Sequence, residues 1–284
     1  METGKIAKSI EGKKLYQERA RKALPLLVRQ AFANKPIHYS DLANELNMPN
    51  PRNLNYVLGS IGHTLKEIAA EWNEEIPPIN CLVTNKVTGL PGEGIGWFIT
   101  DKDNFAKLPR STQRAIVDVQ LHKIYAYPHW HKVLEYLGLE YKPNRDYSPL
   151  LKASARQHHG SGESSHHKRF KEFVSLNPQI LGLPKSVGPG KVEEELPSGD
   201  VVDILFVQSK DWVIAEAKSK ISNIADIYRG LYQCIKYRVV AEAFQSEKGL
   251  QPSCRVVLVL ENNFPEELIE LKNLLGIEVI DNAS

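Results

Sequence analysis

Apolar and polar residues alternate with a strand-like period in one stretch of the second half of the chain, Gly199–Lys218. Two apolar runs, Val201–Gln208 and Trp212–Lys218, flank the polar break Ser209–Asp211. Both runs are rich in valine, isoleucine, phenylalanine and tryptophan, which favour strands, and so short a gap is typical of a hairpin. The pattern therefore predicts two adjacent antiparallel strands.

Three charged residues interrupt these apolar strands: Asp203 in the first, and Glu216 and Lys218 in the second. Residues two apart on a strand share a face, so Glu216 and Lys218 point the same way. A turn centred on Ser209 and Lys210 places Asp203 directly opposite Glu216, whereas a one-residue bulge would break that register. The hairpin thus predicts two facing carboxylates beside a lysine.

Carboxylates this close repel each other on buried strands unless a cation lies between them. A divalent ion held by carboxylate oxygens and water removes the conflict, as is usual for Mg²⁺. A lysine can orient a water molecule or offset charge that develops on a phosphate. An exposed ion pair on an ordinary hairpin is the alternative interpretation of such an isolated pattern.

Predicted helices flank the hairpin. His167–Leu181 has a helical apolar pattern, and Asp226–Phe244 forms a second helix whose Arg229, Gln233 and Tyr237 share one face. This order of elements resembles the PD-(D/E)xK restriction-endonuclease-like superfamily, and more closely the NucS-type endonuclease domain. The resemblance covers about residues 165–280. Its cues are Asn177-Pro178, Glu193–Glu195, Asp203-Ile204-Leu205, Glu216-Ala217-Lys218, and Gln233 with Tyr237.

The sequence departs from the superfamily pattern at two positions. Val202 stands where the superfamily name has proline, and His166 or His167 lies where the first helix often carries a glutamate. Glu172 is the nearest acidic residue to that position.

The resemblance implies metal-dependent phosphodiester hydrolysis. The implied catalytic residues are Asp203, Glu216, Lys218 and Gln233. The implied ligands of Mg²⁺ or Mn²⁺ are Asp203, Glu216 and the carbonyl of Ala217, and the candidate accessory residues are Glu172, Glu194 (or a neighbour in Glu193–Glu195) and Arg229.

The first half of the chain predicts a helix-turn-helix. Ser40 can cap a short helix through Leu46, and Asn50 followed by proline is typical of the start of a second one. Arginine and asparagine at the start of such a helix can recognise guanine and adenine edges. We expect DNA contacts from Arg52, Asn53, Asn55 and Lys86, although small helical pairs are also common in proteins that never bind DNA.

A hairpin wing is predicted after this pair of helices, from a strand at Asn80–Thr84, a Gly/Pro turn at Thr88–Gly94 and a strand at Gly96–Thr100. The segment Pro36–Ile99 resembles the winged-helix DNA-binding domain of alkyltransferase-like proteins, with its Y-x-x-L-A and G-L-x-G patterns. A reactive alkyltransferase cysteine follows proline directly, whereas Cys81 comes third after Pro78. We therefore do not expect alkyl transfer.

The segment Lys152–Ser165, rich in serine, glycine and histidine, is typical of a linker. The predicted organisation is therefore a winged-helix-like domain with a helical extension at 1–151, a linker at 152–165 and a nuclease domain at 166–284. Beyond the hairpin we expect a buried strand, a helix and a closing strand at Arg255–Glu261, Pro265–Leu275 and Ile277–Ile280. The predicted fold class is α/β: a PD-(D/E)xK-like sandwich preceded by an α-rich winged-helix domain.

The distribution of charge and the number of cysteines limit the partners and the compartment that the sequence predicts. The net charge of +2 divides into +4 for residues 1–150, with 20 Lys and Arg against 16 Asp and Glu, and −2 for the rest, with 16 against 18. A face that binds a polyanion is thus expected mainly in the first half. The three cysteines are dispersed and no apolar run approaches the ~20 residues of a membrane span, so we expect a cytoplasmic protein without a membrane partner.

The sequence favours a metal-dependent DNA endonuclease of restriction, defence or repair that acts on double-stranded DNA, and a homodimer is one assembly that the sequence allows. Two alternatives remain open at this stage. The first is a non-catalytic DNA-binding protein with a nuclease-like fold, and the second is an RNA nuclease or defence effector with the same chemistry.

Overall fold

The computed structural model of the protein describes residues 6–99, 105–156, 164–208 and 211–283. The chain divides into two compact units, Met1–Asn144 and Arg145–Ser284. Within the described residues, no helix combines the length and apolar character needed to cross a membrane.

The first unit is built mainly from helices around one apolar core. Helix α1 packs against α3, and the indole of Trp130 lies fully buried and donates its Nε1–H to the carbonyl of Ile124 at 2.9 Å. The helices are α1 (Leu15–Phe32), α2 (Tyr39–Glu45), α3 (Leu54–Trp72), α4 (Gly96–Ile99), α5 (Arg110–Ala126) and α6 (Trp130–Tyr136).

The two successive helices expected after Pro36 are present as α2 and α3. A 3₁₀ turn, Pro51–Asn53, leads into α3, and the side chain of Asn50 accepts a hydrogen bond from the backbone N–H of Arg52 at 3.0 Å. The predicted cap at Asn50 is therefore confirmed.

The predicted hairpin wing is wrong. Ile79–Leu82 forms a 3₁₀ turn, and strand β2 (Val83–Thr84) pairs in parallel with β1 (Ile37–His38) rather than with a following strand. Gly96–Ile99, expected to be the second wing strand, is the helix α4, and Thr100 lies outside the described residues. The cause is a long-range contact: the backbone N–H of Gly92 donates to the Tyr39 hydroxyl at 3.0 Å, which holds the glycine-rich loop beside α2.

The second unit is a mixed α/β sandwich around a five-stranded sheet of order β3-β4-β5-β6-β7. Strand β4 is antiparallel to both of its neighbours, β3 and β5, and β5, β6 and β7 are parallel to one another. The strands are β3 (Lys191–Glu195), β4 (Val201–Gln208), β5 (Asp211–Lys218), β6 (Cys254–Leu260) and β7 (Glu278–Ile280). The helices are α7 (Ser148–Arg156), α8 (Ser165–Leu176), α9 (Ile224–Glu247) and α10 (Ile269–Leu275).

The sheet buries one apolar layer on each face. Helix α8 covers one face through Phe170 and Val174, which pack with Ile204, and helix α9 covers the other through Leu231, which packs with Leu205. Strand β5 lies in the middle of the sheet, so its side chains are enclosed from both faces. The predicted α/β sandwich is confirmed at this coarse level.

The boundary between the units lies earlier than the predicted boundary after residue 151. Tyr147 and Leu150 pack against the apolar layer under α9, so α7 belongs to the second unit. The beginning of the predicted linker, Lys152–Arg156, is therefore helical, and its residues 157–163 lie outside the described residues.

Candidate active site

The buried face of β5 carries a charged pair under α9. The side chain of Glu216 is 2% exposed and that of Lys218 is 7% exposed, and Lys218 Nζ donates to Glu216 Oε1 at 2.6 Å. Removing two charges from water is costly, and a buried pair is by itself weak evidence that a site contributes to stability. A chemical function is the better explanation for charges at this central position.

The pKa shifts of this pair have a common direction. Burial raises the pKa of Glu216 to about 7, with the positive charge of Lys218 opposing the shift and the negative charge of Asp203 adding to it. Burial lowers the pKa of Lys218, but the charges of Glu216 and Asp203 outweigh burial, so the net shift is upward. Burial thus favours the neutral form of Glu216, whereas the neighbouring carboxylates favour the charged form of Lys218.

Asp203 lies at an irregularity of β4. Val202 and Leu205 contribute to the apolar layer under α9 although they are three residues apart, whereas Ile204 contributes to the layer under α8. The strand alternation is therefore interrupted at Asp203, although the β3–β4 register is the same before and after it, so neither strand carries an extra residue. The side chain of Asp203, 17% exposed, accepts the backbone N–H of Ala217 at 2.8 Å.

The predicted hairpin register is confirmed for Ile204–Gln208, the part of β4 that follows this irregularity. Ile204 pairs with Ala215, and the ladder continues to Gln208 opposite Asp211. The ladder ends at Ile204, one position before the expected pair of Asp203 and Glu216, and the Asp203 carboxylate accepts the backbone N–H of Ala217 instead. Because the N–H and carbonyl of one strand residue point to the same side, the Ala217 carbonyl also faces β4.

Helix α9 adds a chain of hydrogen bonds beyond the charged pair. Lys218 Nζ donates to Gln233 Oε1 at 3.3 Å, and Gln233 Nε2 donates to the Tyr237 hydroxyl at 3.1 Å. That hydroxyl donates to the carbonyl of Val201 at 3.2 Å. Gln233 is thus fixed between the catalytic lysine candidate and the first residue of β4.

The packing of α9 against these residues depends on Gly230. A Cβ at this position would lie 2.9 Å from Lys218 Cε and from Leu258 Cδ1, and 3.7 Å from Glu216 Cγ. The glycine therefore permits the close approach of α9 to β5. The aliphatic parts of the Lys218 and Glu216 side chains pack against the helix at this position.

Two residues of helix α8 lie near Asp203, although the sequence did not predict them as site residues. Lys171 Nζ lies 3.8 Å from Asp203 Oδ1, and His167 Nε2 lies 4.0 Å from Asp203 Oδ2. The sequence did indicate their location, because residues 167, 171 and 174 share one face of a helix and Val174 marks that face as apolar. Charged residues on the apolar face of a helix point to a partner across the core.

The predicted accessory residues lie at different distances from this cluster. Glu172 is exposed, and Glu194 pairs with Lys191 at 2.9 Å on the surface. Arg229 pairs with Asp226 at 2.8 Å and is close enough to Glu216 to lower the pKa of that carboxyl slightly. Among the three acids of β3, Glu193 is the one connected to Asp203, through Lys171.

The predicted DNA contacts lie in the first unit. Arg52 and Asn53 are exposed in the 3₁₀ turn, and Asn55 is exposed in the first turn of α3, where Leu54 between them is buried. Lys86 is exposed after β2. The first three residues therefore form one surface that is anchored by a core residue.

A divalent ion suits the oxygen donors of the second unit. Asp203, Glu216 and the Ala217 carbonyl are the residues that could hold it, since Mg²⁺ takes one or two carboxylates and keeps several waters. The negative charges of Glu216 and Asp203, which raise the pKa of Lys218, agree with such an ion. Within the described part of the chain, no group of three or more His, Cys, Asp or Glu side chains is placed to hold a metal. An ion bound here would therefore need backbone oxygens or water molecules to complete its coordination.

Comparisons with known proteins give little beyond this geometry. No family model matches the chain, and no curated protein matches it. A solved structure titled "Structure of EndoMS-dsDNA2 complex" is similar at 19% identity with a TM-score of 0.29. The match covers 44% of this chain and 47% of that chain, so the chain spans about half the length of that relative and the likeness is too weak to carry an argument.

Proposed function

We propose that the protein is a divalent-metal-dependent DNA endonuclease whose catalytic centre lies in the second unit. One observation carries the proposal: Glu216, Lys218 and Gln233 are joined by hydrogen bonds on a buried strand and the helix above it, and Asp203 of the neighbouring strand accepts the backbone N–H of Ala217. A purely structural core would replace such charges by apolar residues at little or no loss of stability. Perturbed ionisable groups gathered in this way are typical of catalytic sites.

Each residue of the cluster has a definable task. Asp203 and Glu216, with the Ala217 carbonyl, would hold Mg²⁺ or Mn²⁺, whose chemistry when bound is to lower the pKa of water and to offset charge on the scissile phosphate. Lys218 would orient the attacking water and balance the negative charge added at phosphorus. Gln233 would hold Lys218 in place and contact the same water or the phosphate. Arg229 is close enough to add positive charge.

The reaction consistent with these roles is hydrolysis of a phosphodiester bond. Water forms a new bond to phosphorus, the bond from phosphorus to one ester oxygen breaks, and the leaving oxygen takes up a proton. The fixed positive charges of the cluster stabilise the additional negative charge of the transition state. No covalent protein intermediate is required.

Metal dependence is the first test. Plasmid DNA, single-stranded DNA and RNA are each incubated with the full-length protein in Mg²⁺, Mn²⁺ or excess EDTA, and the products are separated on gels. We expect cleavage of double-stranded DNA with either metal and none with EDTA. Cleavage that persists in EDTA would contradict the metal site. Cleavage of RNA alone would favour the RNA nuclease, and the absence of all cleavage would favour a non-catalytic DNA-binding protein.

The second part of the proposed function is that the start of α3 recognises DNA. Arg52→Ala should weaken binding to a preferred duplex by about 1–3 kcal/mol if the guanidinium contacts a base edge in bidentate fashion. If Arg52 contacts only phosphate, the loss should be similar for all sequences and the salt dependence should be shallower. The measurement is a fluorescence-anisotropy titration at two or more salt concentrations.

The control for this experiment is Arg110→Ala. Arg110 is exposed at the start of α5, and its replacement removes the same charge from another place in the same unit. It should change affinity little. Unaltered affinity in both Arg52→Ala and Asn55→Ala, with the unit still folded, would move DNA recognition to a different surface.

A further inference from the structure

The buried lysine of α8, Lys171, is not explained by the roles assigned above. Its side chain is 4% exposed, although a lysine is rarely buried without a strong partner. Neighbouring residues of the helix are fixed in the core, with Phe170 5% exposed and Val174 fully buried. The ammonium group therefore has a defined position at the sheet.

That position lies between two carboxylates. Lys171 Nζ is 2.7 Å from Glu193 Oε1 and 3.8 Å from Asp203 Oδ1. Glu193 and Asp203 occupy the gap in the β3–β4 ladder, since Val192 pairs with Ile204 and Glu194 pairs with Val202. A positive charge between two facing carboxylates occupies the place that a bridging metal ion would otherwise take.

The backbone is shaped for this arrangement. Glu193 has φ of 57°, in the left-handed region that a glutamate seldom adopts. Such a conformation in a strand persists only where its surroundings hold it. The distortion turns the Glu193 side chain towards α8, where Lys171 receives it.

From these contacts we infer that Lys171 acts as a built-in cation on one side of Asp203, so that the site takes a single divalent ion on the other side, with Glu216. The inference rests on the proposed metal site and concerns its stoichiometry. Lys171 is a positioning residue: it neutralises Glu193 and leaves Asp203 to serve one ion instead of bridging two.

The test counts bound Mn²⁺ on the full-length protein by electron paramagnetic resonance of the free ion during titration. The number of specific ions is the difference between each protein and the same protein carrying Asp203→Asn, which removes weak surface binding from the count. We expect one ion for the wild type and two for Lys171→Met, because loss of the ammonium removes the positive charge between the Glu193 and Asp203 carboxylates and a second ion can take its place. Adding Glu193→Gln to Lys171→Met should return the count to one.

A milder pair of variants tests the same inference if Lys171→Met does not fold. Glu193 is 56% exposed, and its replacement by glutamine releases the ammonium to pair with Asp203. Glu193→Gln should therefore weaken Mn²⁺ binding about tenfold, whereas Glu194→Gln, which removes the same charge one residue along β3, should weaken it less than about threefold. Equal effects in the two variants would overturn the role of Lys171.

The outcomes separate this inference from the function itself. Two specific ions in the wild type, together with metal-dependent cleavage, would overturn the single-ion site but would not contradict the proposed nuclease activity. One ion with unaltered affinity in folded Lys171→Met would likewise make Lys171 merely structural. The absence of any Asp203-dependent ion in the wild type would remove the metal site and this inference with it.

Discussion

Asp203→Asn is expected to reduce cleavage by about 10²- to 10³-fold while leaving the second unit folded. A metal ion supplies several kcal/mol of transition-state stabilisation, and every ~1.4 kcal/mol corresponds to a factor of ten in rate. The asparagine oxygen can still accept the N–H of Ala217, so the local backbone should be preserved. Cleavage rates, Mn²⁺ binding and thermal unfolding are measured on the same preparations.

Asp200→Asn is the matched control for this prediction. Asp200 lies three residues before Asp203 and bonds to Lys236 and Ser198 at the surface, away from the charged pair. Its replacement should leave the cleavage rate close to that of the wild type. Wild-type cleavage by Asp203→Asn would exclude this carboxylate from the reaction.

Lys218→Met should also strongly reduce cleavage, but with a loss of stability that Asp203→Asn lacks. It leaves Glu216 buried without its close cation, and breaking a buried ion pair by removing one partner costs about 3–5 kcal/mol. Protonation of Glu216 should reduce this cost. The contrast between the two variants separates a residue that the site needs from one that the fold also needs.

The largest effect on the stability of the first unit is expected from Glu45→Ala. Arg29 on α1 is 2% exposed, and its Nη2 donates to both carboxylate oxygens of Glu45 on α2, at 2.7 and 2.9 Å. Removing the glutamate leaves a buried guanidinium without this anion, so the free energy of unfolding should fall by about 3–5 kcal/mol. Denaturant unfolding followed by the fluorescence of Trp72 and Trp130 measures the change.

Two comparisons make this stability prediction specific. Glu75→Ala removes an ion pair with Lys123 in which the side chains are 78% and 47% exposed, and it should cost no more than about 1 kcal/mol. The double variant Arg29→Met with Glu45→Leu replaces the buried pair by apolar groups and should recover most of the loss. A Glu45→Ala effect as small as that of Glu75→Ala would show that Arg29 keeps sufficient partners without Glu45.

Local patterns predicted the hairpin that carries the site. The strands Val201–Gln208 and Asp211–Lys218 match the predicted runs to within one residue, and the pairing of Ile204 with Ala215 is the register that the turn implied. Both follow from period-two alternation and a short connection, which depend only on neighbours in sequence. The turn residues Ser209 and Lys210 themselves lie outside the described residues.

The features that the sequence did not predict depend on distant contacts. The irregularity at Asp203 depends on how β3 meets β4, and the helical pattern of α8 places Lys171 on the apolar face without identifying Asp203 as its neighbour. The wing failed for the same reason, because Val83 pairs with Ile37, far away in sequence, and Tyr39 holds the glycine-rich loop. Glycine and proline correctly predicted an irregular segment there but did not determine its partner.

Strand β3 has a consequence for how copies of this protein can associate. It is one edge of the sheet, and four of its five residues are charged, with the distorted Glu193 at the centre. Charged side chains and kinks on an edge strand discourage the addition of a strand from another molecule. Self-association by sheet extension is therefore disfavoured at this edge even at high concentration, and a homodimer, if it forms, would need to use another surface.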